Sequence, residues 1–122
     1  GKTFGDVLRK NLLGEHGLLS ISGLTAIVTC HGKELAVELR RPNGKRVKDD
    51  EPLTVMASDF LATGGDAVLD TLPHVIEEGP TMRDELVRVL RDRAGNLNPD
   101  DPELYDPAHR RYAFPVNVRE CR

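Results

Sequence analysis

Apolar residues recur at two different spacings along the first half of the chain, and each spacing predicts a different element. The first segment places four apolar side chains on one helical face: Phe4, Val7, Leu8 and Leu12. Charged residues fall elsewhere on this segment, which predicts an amphipathic helix. Gly14 and Gly17 follow it, and either glycine can supply the left-handed cap that ends a helix.

From Leu24 the apolar positions alternate with polar ones, which is the period of a strand with one buried face. Residues 24–30 and 35–39 both alternate, and His31-Gly32-Lys33 between them predicts a hairpin. Pro42-Asn43-Gly44 is a strong turn signal because Asn and Gly tolerate positive φ. A third alternation at Leu53, Val55 and Ala57, entered after Pro52, predicts another strand.

The second half of the chain returns to helical spacing after one more short apolar pair. Val75 and Ile76 suggest a short strand. Thr81 and Asp84 then have the spacing of a capping box, with Met82, Leu86, Val89 and Leu90 on one helical face behind them. We expect this helix to end at Gly95, a surface loop to follow, and residues 116–121 to form an edge strand or fray.

This order of elements predicts an α+β fold, in which two helices pack on a mostly antiparallel sheet. The 122 residues fit a single domain, with a core over residues 1 to about 94 and an extended C-terminal tail over 95–122.

The amino-acid composition argues against two classes of function, a membrane-spanning protein and a nucleic-acid-binding protein. Hydrophobic residues make up 39% and charged residues 30%, which suffices for a core, and aromatic residues make up only 4%. No apolar run approaches the roughly 18 residues of a membrane helix. The net charge of −3 argues against a nucleic-acid partner, because such affinity depends on clustered Lys and Arg.

The residue types that carry chemistry form no recognisable catalytic or metal set. The four histidines stand singly, with no metal-ligand spacing: His16, His31, His74 and His109. Cys30 and Cys121 form no CxxC pair; a disulfide between them is possible, but two separate thiols is the simpler interpretation. The basic cluster over residues 40–48 is followed at once by acidic residues, which predicts a solvated hairpin tip whose charges largely cancel.

The strongest local signal is the loop over residues 59–66, where Gly64 and Gly65 stand together. Two glycines let the backbone approach a flat ligand or another segment closely. The alternative is a tight connection with Phe60 and Leu61 buried.

At this loop the segment SDFLATGGDAV resembles the C-terminal domain of the 5′-nucleotidase family. The family pattern is Asn-Asp-Phe-Leu, two variable residues, Gly-Gly-Asp-Gly and an aromatic. Further segments follow the family's order: GKTFGDVLRKNLL, Ser22-Gly23-Leu24, NGKRVKDDEPLTVMASDFL and GPTMRDELVRVLRDR. The resemblance covers most of residues 1 to about 94, and the ordered set is more specific than any one segment.

The resemblance implies that catalysis and substrate recognition belong to two different domains. In this family an N-terminal metallophosphoesterase domain holds two divalent metal ions and hydrolyses the ester, while the C-terminal domain binds the nucleoside. We therefore expect a chain that is cut from a longer periplasmic, secreted or cell-surface hydrolase, with that catalytic domain as its partner and no cofactor of its own. Its ligand is then a nucleoside or nucleotide, and catalytic residues are not expected here.

By position in the family's motif, six residues are expected to line the substrate site: Gly23, Gly64, Gly65, Asp66, Val68 and Asp70. Asp70 takes the ribose-hydroxyl role. Val68 stands where the family has a base-stacking aromatic, and Val offers no stacking face. Two alternatives therefore stay open: a relative that acts on a non-nucleotide phosphate or sulfur ester, and a non-catalytic binding or structural module.

Overall fold

The computed structural model describes residues 1–15, 17–69, 72–93, 97–102, 108, 110–114 and 121. The chain forms two compact units, residues 1–55 with 107–122 and residues 56–106, and each is considered by itself. The first unit contains helix α1 (Lys2–Leu13) and strands β1 (Thr25–His31), β2 (Glu34–Arg40) and β3 (Tyr112–Ala113). The second unit contains helix α2 (Asp59–Ala62), a 3-10 segment (Gly65–Ala67) and helix α3 (Met82–Asp92).

The sheet is mixed, with strand order β2-β1-β3. Strands β1 and β2 pair antiparallel from Thr25 opposite Arg40 to His31 opposite Glu34, as the hairpin prediction requires. Strand β3 pairs with β1 in parallel, over two residues only. The α+β fold class predicted from the element order is confirmed.

The inward faces of α1 and the hairpin form the core of the first unit. Leu8 of α1 and Ala26 of β1 are fully buried, together with Leu39 of β2. These are positions that the two hydrophobic periods assign to the interior, and burying a side chain the size of Leu8 stabilises the fold by about 2 kcal/mol. Gly5 faces the carbonyl oxygen of Val37, from which an added Cβ would lie 3.6 Å, so α1 approaches β2 closely.

The end of α1 differs from the prediction. Gly14 caps the helix with an extended backbone (φ −77°, ψ 176°) instead of a left-handed one. The buried Asn11 side chain does the work of the cap, since its Nδ2 donates to the Gly17 carbonyl (3.1 Å) and its Oδ1 accepts from the Leu19 amide (3.0 Å). Because these side-chain hydrogen bonds hold the segment that follows the helix, a residue with positive φ is not needed at the helix end.

The segment before residue 114, predicted to be surface loop, contributes strand β3 to the sheet. The Ala26 amide donates to the Arg111 carbonyl (2.8 Å), and the Tyr112 hydroxyl donates to the Leu19 carbonyl (2.9 Å). Burial raises the pKa of Tyr112 above its usual value of 10. The prediction was wrong here because the pairing joins residues more than eighty positions apart, which local patterns do not report.

Cys30 and Cys121 form a disulfide, so the prediction of two separate thiols was wrong. Their Cα atoms lie 5.6 Å apart, and the bond closes a sequence separation of 91 residues. Cys121 is buried beside Val28 and Leu35 in a second apolar cluster. The disulfide therefore fastens the C-terminal end of the chain to the central strand.

Two predicted strands are wrong, and one predicted helix is confirmed. Residues 53–57 and 75–76 form no strand. Leu53 packs against the core, but Val55 is 45% exposed and Val75 87% exposed, so neither segment has the continuous buried face that alternation needs. Helix α3 begins as predicted with a capping box, in which the Asp84 amide donates to Thr81 Oγ1 (3.2 Å) and the Thr81 amide to Asp84 Oδ2 (3.3 Å). Gly95 and residues 116–120 lie outside the described residues.

Among the residues that the structure describes, no helix combines the length and apolar character needed to cross a membrane.

Reducing the disulfide should lower the stability of the first unit. Closing a loop of this length removes conformational entropy from the unfolded chain worth about 4.6 kcal/mol. The check is thermal unfolding by circular dichroism with and without reductant, with the Cys30→Ser/Cys121→Ser variant as a reductant-free comparison. An unchanged midpoint in a sample whose thiols titrate as free contradicts this prediction.

Candidate functional site

The candidate loop starts with one turn of helix that is closed by its own polar groups. The Ser58 hydroxyl accepts from the Leu61 amide (3.4 Å), which is the N-cap of α2. The Thr63 amide and its hydroxyl both donate to the Asp59 carbonyl (2.8 Å each). The turn is therefore fixed at both ends by residues of the segment SDFLAT.

After this turn the backbone enters the left-handed region three times within four residues. The φ values are 109° at Gly64, 56° at Asp66 and 49° at Ala67. Glycine adopts positive φ freely, but Asp and especially Ala rarely do, at a cost of about 1–3 kcal/mol each. Such strain persists only where the surroundings enforce it, and it clusters at functional sites.

Gly65 is required because the Phe60 ring covers it. A Cβ at Gly65 would lie 2.5 Å from Phe60 Cδ1 and 2.5 Å from the Phe60 carbonyl oxygen, closer than any real Cβ contact. The first role of this glycine is thus to admit an aromatic ring of its own loop. The ring is in turn fixed against the backbone of the Gly-Gly pair.

The residue Phe60 remains 59% exposed, while Leu61 is half-buried. The alternative of a connection with both residues buried therefore does not describe Phe60. Sequence reasoning missed this exposed aromatic as a candidate contact residue. The available signal was the Gly-Gly pair, which marks a place where another group can approach the backbone closely.

Val68, a residue of the second unit, is only 9% exposed. Its side chain presents no surface to a ligand in this structure, whereas Asp66 two residues earlier is exposed. The ribose contact predicted for Asp70 lies outside the described residues. Gly64, Gly65 and Asp66 are thus brought together in one turn, with Val68 buried directly after it.

Gly23 belongs to the first unit and has φ +80°, with no heavy atom within 4 Å of an added Cβ. It lines a cavity of about 220 Å³ together with Ser22, Leu24, Thr25, Pro42 and Arg111. Arg111 is a second residue that sequence reasoning missed, because only the pairing of β3 with β1 brings it next to Gly23. Gly23 thus borders an open cavity, and its predicted role in the substrate site stays a prediction.

The charged hairpin tip cancels much of its own charge, as predicted. Glu51 pairs with Arg41, and Glu38 pairs with Arg40 (2.6 Å) and Arg46 (3.7 Å). The hydrogen bond from Arg41 and the Lys48 backbone lower the pKa of Glu51 below its usual 4.5. This tip offers a solvated network of ion pairs.

The described residues hold no group of three or more His, Cys, Asp or Glu side chains arranged to bind a metal ion. His31 and His74 are exposed, and His16 and His109 lie outside the described residues.

Comparison of the chain with protein-family models, curated proteins and solved structures gives no match. The 5′-nucleotidase resemblance therefore depends on the quoted segments alone, and membership of that family stays a prediction.

Replacing Gly65 with alanine should loosen the candidate loop, because the new methyl group must displace the Phe60 ring or its carbonyl. We expect a local loss of about 1–3 kcal/mol. The measurement is amide hydrogen exchange at Ala62 and Thr63, whose amides are bonded to Ser58 and Asp59. Gly79→Ala in the same unit is the matched control, since no heavy atom lies within 4 Å of a Cβ there. Equal exchange in the two variants contradicts the argument.

Proposed function

We propose that this chain is the nucleoside- or nucleotide-recognition domain of a 5′-nucleotidase-like phosphoester hydrolase in nucleotide catabolism. Hydrolysis is then carried by a separate N-terminal metallophosphoesterase domain with two divalent metal ions. The observation that carries the proposal is the strained turn at Gly64–Ala67 with the exposed Phe60 ring fixed beside it. Both features lie inside the segment that resembles the family's binding loop.

Strain supports a binding role because stability alone does not require it. Asp66 and Ala67 adopt left-handed backbone at a cost that a glycine at either position would avoid. A loop that keeps both residues in this conformation maintains a particular backbone shape. That shape places the exposed Asp66 side chain, a hydrogen-bond acceptor for hydroxyl groups, at the turn.

Phe60 supplies the flat surface that Val68 lacks. A ring fixed by Gly65 loses little conformational freedom when a ligand stacks on it, so the contact is pre-organised. Stacking of a nucleobase on an aromatic side chain contributes about 1–3 kcal/mol and tolerates different bases. In this proposal the base-stacking role of the family is moved from the position of Val68 to Phe60.

The chemical role of the domain is positioning. Binding the nucleoside part of a substrate holds its phosphate near a catalytic centre, which converts a bimolecular step into an effectively unimolecular one. The disulfide between Cys30 and Cys121 supports the proposed extracytoplasmic location, since such bonds persist in oxidising compartments.

Adenosine should bind weakly to the isolated chain and perturb the amides of residues 58–68. We expect Phe60→Ala to weaken binding by about tenfold, the loss of one stacked ring, and Phe60→Tyr to retain it. The measurement is an NMR titration of the 122-residue chain with adenosine and with AMP. Phe114→Ala is the control, because Phe114 is also an exposed aromatic but stacks on Tyr112 in the other unit.

Two results contradict this role for the loop. One is the absence of saturable shifts with either ligand, which favours a structural module. The other is binding that Phe60→Ala leaves unchanged. Saturable shifts at residues 58–68 with a non-nucleotide phosphate or sulfur ester, and none with adenosine or AMP, favour the alternative ester substrate.

The chain alone should release no phosphate from AMP in the presence of manganese or zinc, since its share of the reaction is recognition. The assay is phosphate release by the purified chain, with a chelator-treated sample as the blank. Metal-dependent phosphate release that a chelator abolishes would place the catalytic site in this chain. That result contradicts the proposal that a separate domain carries out hydrolysis.

A further inference from the structure

We propose that the cavity beside Gly23 binds a small oxyanion, a phosphate group either free or at the end of a monoester, through the guanidinium of Arg111. The cavity lies wholly within the first unit and is lined by residues from both ends of the sequence. Its volume of about 220 Å³ exceeds by far the roughly 10–15 Å³ that a cavity needs on this measure to hold one water molecule. A group of several heavy atoms therefore fits.

Arg111 is held in place at both its backbone and its side chain. Its carbonyl accepts from the Ala26 amide (2.8 Å), which anchors it to strand β1. Its Nη1 donates to the Ser20 hydroxyl (2.8 Å), so the guanidinium has a defined direction. An arginine fixed in this way loses less side-chain entropy on binding an anion than a freely moving one.

Within the described part of the chain, the Arg111 guanidinium uses few of its donors. The bond to Ser20 uses one of five N–H groups, and the described residues accept no other hydrogen bond from the Arg111 side chain. Arginine forms paired hydrogen bonds with phosphate oxygens, which are stronger than bonds between neutral groups. The geometry therefore favours a phosphate over a neutral ligand.

The remaining walls suit an anion. None of the lining residues that the structure describes is acidic, and Ser22 and Thr25 carry hydroxyl groups that can donate. A Cβ added at Gly23 would meet no heavy atom within 4 Å, so this position opens onto free space. Among the described residues that line the cavity, Arg111 alone carries a charge.

The test is an NMR titration of the full 122-residue chain with inorganic phosphate and, separately, with phenyl phosphate, at constant ionic strength. We expect saturable shifts at Ser22–Thr25 with millimolar affinity. The tighter of the two probes identifies the source as free phosphate or a monoester. Shifts that do not saturate, or that are absent from Ser22–Thr25, overturn the proposal without any variant.

Arg111→Gln should weaken phosphate binding by about tenfold or more, the loss of a charge-assisted pair. Arg110→Gln is the matched control, since it removes the same charge from an adjacent exposed residue that does not line the cavity. Protection of the Ala26 amide reports that β3 remains paired in the Arg111 variant. Equal weakening by both variants means that the effect is general electrostatic screening, and it overturns the site.

This proposal goes beyond the function of the Phe60 loop. Its binding is measured at amides of the other unit, so either proposal can fail alone.

Discussion

Strand β1 is the element on which the first unit depends. Its inward side chains, Ala26 and Val28, have no exposed surface, and its backbone pairs with β2 on one edge and β3 on the other. The same strand carries Cys30, which fastens the last part of the chain through Cys121. One seven-residue strand thus brings residues from the start, middle and end of the sequence together.

Local patterns predicted the elements that local forces stabilise. Helix α1 and strands β1 and β2 have clear periods and a turn between them, and α3 has its capping box, so each was predicted close to its observed bounds. Alternation alone was misleading at residues 53–57 and 75–76, because it does not supply a partner strand. Strand β3 and the disulfide were missed since both depend on contacts across most of the chain length.

In the candidate sites, too, the local features could be predicted from the sequence and the long-range contacts could not. The Gly64-Gly65-Asp66 turn was visible in the sequence, because glycines mark backbone that few other residues adopt. The exposure of Phe60 was not, since it depends on how the ring packs over Gly65. Arg111 was hidden for a different reason, because its place beside Gly23 follows from the parallel pairing of β3. In both cases the sequence indicated the glycine, but the identity of the side chain beside it depends on the fold.

The central claim is that an aromatic ring fixed by a glycine turn recognises the flat part of a ligand. Its most direct measurement is a search for intermolecular nuclear Overhauser effects between the ring protons of Phe60 and the base protons of bound adenosine. The account predicts such effects, because a stacked base lies in van der Waals contact with the ring. Saturable adenosine binding with no effect from Phe60, and with effects from other side chains instead, contradicts it.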